Sequence, residues 1–112
     1  WHLSHGITSC VALPAVMEYL TGETPAKVAR VARALRPDAA TASDDEHVAR
    51  DAAQWLREWI GQIGLPHRLR DVIPDRSGFD DVARHAVLEL SFFGHIPAGG
   101  TDAVKMLLDR MW

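Results

Sequence analysis

The sequence predicts an all-α protein of about five helices. Three observations carry this reading. Apolar residues recur at three- and four-residue spacing through most of the chain, helix start and stop signals bracket those stretches, and no segment alternates with the period of a strand.

The first helix is expected over residues 8–20, where Val11, Ala12, Ala15, Val16, Tyr19 and Leu20 form a broad apolar face. Pro14 lies inside it and lacks an amide to bond backwards, so a kink or a late start is expected. The second helix starts at Thr24 as N-cap with Pro25 in the first position, continues through Ala26, Ala29, Ala32 and Leu35, and stops at Pro37. A loop follows over 38–42. The third helix has the clearest signals. Ser43 and Glu46 read as a capping box, and Asp44 and Asp45 put negative charge at the positive end of the dipole. Val48, Ala52, Trp55, Leu56, Trp59, Ile60 and Ile63 make its inward face, Gly64 supplies a left-handed cap, and Pro66 forbids continuation. Leu69, Val72 and Ile73 then predict one or two irregular turns plugged into the core. The fourth helix begins near Ser77 or Gly78, buries Phe79, Val82, Ala83, Ala86, Val87 and Leu90, and ends at Gly94. Thr101 is expected to cap the fifth, with Val104, Leu107, Leu108 and Met111 inward.

Composition bounds the rest. The 112 residues suffice for a single all-helical domain, and 47% hydrophobic with 24% charged content is globular. A net charge of -3 argues against a nucleic-acid binder held by phosphate neutralisation. No apolar run approaches the ~20 residues of a membrane span, and the first residues lack the charged and apolar regions of a secretory signal. A single cysteine, Cys10, excludes an internal disulfide, so a cytoplasmic setting is expected. The opening Trp1-His2-Leu3-Ser4-His5 has no initiator methionine, which suggests a fragment of a larger protein.

Six histidines draw attention first. His2 and His5, three apart, either share a metal with further ligands or are two unrelated loop residues. Asp81, His85 and Glu89 align on the fourth helix; acid-x-x-x-His is a metal-ligand arrangement, but a solvated face with charge pairs is the favoured reading. His47 with Asp51 repeats the pattern. Lys27, Arg30, Arg33 and Arg36 form a basic stripe that meets a phosphate or, more simply, solvent, since no aromatic residue is interleaved. Gly99-Gly100-Thr101 opens a helix without the preceding strand of a nucleotide loop, and reads as a connection plus a cap. Cys10 has no neighbouring base and reads as a core thiol. Ser4 and Ser9 near His5 have no acidic orienter, which leaves a hydrolase triad unsupported.

A longer stretch says more than any spacing. Leu3-Ser4-His5-Gly6-Ile7-Thr8-Ser9-Cys10-Val11-Ala12-Leu13-Pro14-Ala15-Val16-Met17 resembles the His-Gly-x-Thr-Ser-Cys-x-x-Leu-Pro-x-Val-Met stretch of the iron-containing alcohol dehydrogenase family, which includes the maleylacetate reductases. Ile63-Gly64-Leu65-Pro66-His67-Arg68-Leu69-Arg70-Asp71-Val72 is similar to that family's Leu-Gly-Leu-Pro-x-x-Leu-x-x-Val link, and Asp102 to Trp112 is similar to its closing helix. Leu20 stands where the family often has Asn, and Gly94-His95-Ile96 where it commonly has Asn-Pro-Arg.

The resemblance implies a fold like the C-terminal half of the dehydroquinate synthase-like helical domain of these enzymes, with the N-terminal nucleotide-binding domain absent from the chain. It implies a divalent metal, Fe(II) or Zn(II), held by an Asp-x-x-x-His pair and two later histidines, of which His5 matches the last. Asp81 and His85 follow His5 and so fall in the wrong order for the pair, and His2 matches no ligand position. The implied activity is NAD(P)-dependent interconversion of an alcohol and a carbonyl compound, with no catalytic residue assigned in these 112 residues and the isolated chain inactive. Gly6 leans towards the alcohol dehydrogenase branch, because maleylacetate reductases often carry Ala there. The alternatives are a maleylacetate reductase-type fragment and a stand-alone, non-catalytic helical interaction module, for which a homodimer is one possible assembly.

Overall fold

The computed structural model describes residues 1–36 and 44–112. Among them are five α-helices, α1 (His5–Thr21), α2 (Pro25–Leu35), α3 (Asp45–Gln62), α4 (Phe79–Phe92) and α5 (Gly100–Met111), one 3-10 turn (Leu69–Asp71), and no strand. The all-α class read from periodicity is the class observed. No helix among the described residues is long and apolar enough to cross a membrane. Two compact units form: His2–His67, and Arg68–Trp112 together with Trp1.

In the first unit α3 packs on both α1 and α2. The core joins Met17 of α1, Val28, Ala29 and Ala32 of α2, and Val48, Ala49, Ala52, Ala53, Leu56 and Ile60 of α3. Half of these ten are alanines, which let helix backbones approach closely, and the larger members Met17, Leu56 and Ile60 each contribute roughly 1.5–3 kcal/mol on burial. The buried Thr21 hydroxyl is satisfied by donating to the Met17 carbonyl at 2.9 Å. Arg57 reaches Glu18 at 3.3 Å and Arg33 reaches Asp45 at 2.8 Å, tying α3 to α1 and α2 at the surface.

The ends of these helices show which sequence signals were sufficient. α1 begins three residues earlier than the apolar pattern predicts and runs on through the buried Pro14, so there is no late start. Its first turn is closed by Ser4, a cap that apolar periodicity does not register. At α2, Thr24 holds the N-cap position and Pro25 follows, but the Thr24 hydroxyl donates to the Leu20 carbonyl at 3.4 Å rather than capping α2. Ala26 and Leu35 are exposed, because the buried row of α2 is Val28, Ala29 and Ala32. Pro37, the loop over 38–42 and Ser43 lie outside the described residues; Asp44 holds the N-cap of α3 and its carboxylate accepts from the Glu46 amide at 3.1 Å. Gly64 ends α3 as expected, with φ of +79°. Leu65 donates to the Ile60 carbonyl at 3.2 Å and Gly64 to the Gly61 carbonyl at 3.0 Å, the paired bonds of a Schellman cap.

Trp59 and Ile63 depart from expectation, being 45% and 50% exposed. They share the Trp55 row, which flanks the buried Leu56 and Ile60 row. Trp55 is half-buried against the core, and Trp59 stacks on it with ring centroids 6.0 Å apart. The same three- and four-residue spacing therefore describes a core face and its margin.

The second unit is organised around Phe79, which is buried at the start of α4. Trp1 meets its ring edge-on at 5.8 Å and Trp112 does so at 6.0 Å. The Arg76 guanidinium lies 4.9 Å from the Trp112 ring centroid and bonds Asp109 at 3.0 Å. α4 and α5 pack together, joined at the surface by Lys105 and Asp80 at 2.6 Å. Leu69 in the 3-10 turn and Ile73 just after it are buried, as the sequence predicts, along with Ala83, Ala103, Val104 and Leu108, while Val72, also expected in the core, is half-buried. A second Schellman cap closes α4, where Gly94 has φ of +73° and His95 donates to the Leu90 carbonyl at 3.0 Å. Leu90, expected inward, is 37% exposed, since the buried row of α4 is only Phe79 and Ala83. The cap of α5 is Gly99, with φ of +91°, and the predicted cap Thr101 lies inside the helix. A left-handed glycine reverses the chain here without a side-chain bond, so a good capping side chain two residues later is a misleading signal.

Candidate functional site

His5 is the first residue of α1, and its side chain is exposed. The Ser4 hydroxyl accepts from the Ile7 amide at 3.4 Å, while the Ser4 carbonyl accepts from the Thr8 amide at 3.0 Å and the Thr8 hydroxyl at 3.1 Å. Three bonds thus fix the turn on which the imidazole is mounted. The first turn of α1 carries no acidic residue, so no carboxylate on that turn competes for the ring. A side chain on the first turn of a capped helix has a settled base and an open outer face, which suits a metal ligand. Its donor is the imidazole nitrogen that iron and zinc both accept.

His2 is exposed and has a left-handed backbone, φ +49°, a conformation uncommon outside glycine and enriched at His, Asn and Asp. Among the described residues, no group of three or more His, Cys, Asp or Glu side chains is arranged to hold a metal ion. The donor chemistry of His5 fits a divalent metal.

The other sequence candidates resolve into ordinary surface chemistry. On α4 the Asp81 carboxylate pairs with Arg84, and His85 Nδ1 lies 2.8 Å from the Asp81 carbonyl oxygen. The acid and the imidazole of that Asp-x-x-x-His pair are therefore turned to different partners. On α3, His47 Nε2 is 3.1 Å from Asp51 Oδ2, both exposed. The basic stripe of α2 is divided: Lys27 and Arg30 are exposed, Arg33 is bridged to Asp45, and Arg36 lies 5.4 Å from the Trp55 ring centroid. Cys10 is half-buried against the core of the first unit, less enclosed than a core thiol would be. His67 sits against Gly61, where an added Cβ would stand 3.3 Å from its ring.

Two features escaped the sequence reading. Ser4 is the cap of α1, which its placement three residues before the Ile7 amide could have suggested. The Trp1, Phe79 and Trp112 cluster joins residues far apart in sequence, and no local pattern announces such a contact.

The described residues thus form a helical fold with an exposed imidazole on a capped first turn. The chain belongs to the Fe-containing alcohol dehydrogenase family, whose C-terminal sequence model matches residues 1–112. That makes it an oxidoreductase-type enzyme part from a family described by its iron. No curated protein and no solved structure matches the chain.

Proposed function

We propose that this domain supplies one metal ligand, His5, to an NAD(P)-dependent oxidoreductase that interconverts an alcohol and a carbonyl compound. The match over the whole of residues 1–112 carries the reading, and the mounting of His5 on the first turn of α1 supports it. The remaining ligands and the nucleotide site belong to a preceding nucleotide-binding domain and its adjoining helices. A divalent iron or zinc ion, when bound, polarises the substrate oxygen as hydride passes to or from the nicotinamide. The part played by this chain is positional. The Ser4 cap and the Thr8 hydroxyl hold the first turn, and the turn holds the His5 ring. Cytoplasmic location and a small alcohol or carbonyl substrate belong to the same proposal.

Gly6 favours the alcohol dehydrogenase branch over the maleylacetate reductases. A second reading, a non-catalytic interaction module, is favoured by one observation: Phe92 and Phe93 are 79% and 77% exposed, an unusual load of aromatic surface for a small domain. Metal analysis of the longer protein separates the readings. His5→Ala is expected to remove bound iron or zinc while leaving the helical circular dichroism unchanged. Metal retained by that variant would overturn the assignment of His5. The 112 residues alone are expected to show no NAD(P)-linked turnover, and turnover by them would contradict the proposed division of the site.

A further inference from the structure

We draw no further inference here: the strongest candidate, the exposed apolar patch of Leu88, Phe92, Phe93 and Ile96 around the C-terminal end of α4, carries nothing because no feature of the structure shows what covers it.

Discussion

The two units of this chain are stabilised differently. In His2–His67 three helices share a core that, among the described residues, holds ten buried side chains, most of them small, so no single one dominates. In Arg68–Trp112 with Trp1, one ring, Phe79, is enclosed by two tryptophans, while α4 leaves Leu88, Leu90 and Phe92 exposed. Helical periodicity describes the first kind of core well, because its buried residues recur along each helix. In the second it finds the buried Phe79, Ala83, Val104 and Leu108 but not the contacts of Trp1 and Trp112 with Phe79, which join residues distant in sequence.

The sharpest test of this contrast is to remove one large side chain from each core. Phe79→Ala is expected to cost about 3–5 kcal/mol and to abolish slow hydrogen exchange in α4 and α5. Leu56→Ala is expected to cost about 2–5 kcal/mol, read as reduced protection in α1 to α3, with the distributed alanine contacts keeping it near the lower end. Persistent protection of α4 and α5 in Phe79→Ala would break the comparison, since the unit would then not rest on that ring.

A smaller effect is expected at Gly78. Its φ of −86° suits any residue, so the need for glycine is spatial: an added Cβ would stand 2.9 Å from Trp1 Nε1. Gly78→Ala is expected to displace the Trp1 indole and lose its edge contact with Phe79, worth about 0.5–1.5 kcal/mol. Tryptophan fluorescence should shift towards the exposed range in Gly78→Ala, and in a Trp1→Phe background the substitution should leave the spectrum unchanged. A spectrum unaltered by Gly78→Ala alone would show that Trp1 does not occupy that place.

The smallest effect concerns acid. The Lys105 ammonium, by hydrogen bond and then by charge, holds the Asp80 carboxyl below its ordinary value, and Asp80 in turn raises Lys105. A carboxyl lowered on folding stabilises the fold above its unfolded pKa of about 3.9, and that contribution is lost as pH falls through the lower folded value. Both groups are exposed, so solvent screens the pair heavily. Thermal melts of Asp80→Asn should match those of the unmodified chain below that range and fall slightly lower at neutral pH. An unchanged neutral melt would mean the bridge contributes nothing.

Much of the fold was legible because its signals are local. Thr24 with Pro25 marks the start of α2, and Gly64 with Pro66 ends α3. Where reading failed, another force had the last word. Trp59 and Ile63 keep core spacing yet lie on the margin of the buried face, a distinction set by which helix packs opposite. Thr101 is a sound capping residue, but the left-handed Gly99 turns the chain first. The site was legible in a different way. Spacing alone also offered Asp81 and His85, read chiefly as charge pairs, and their groups face Arg84 and the backbone. His5 stood out only through the run of residues that follows it, because spacing within one stretch does not single out a lone donor.

The central claim is that His5 donates to the metal of the parent enzyme. The most direct measurement is metal content per chain of the longer protein, compared among the unmodified form, His5→Ala, His2→Ala and His85→Ala. The account predicts that His5→Ala alone loses the ion, with the other two retaining it. Full metal occupancy in His5→Ala, or equal loss in all three variants, would contradict it.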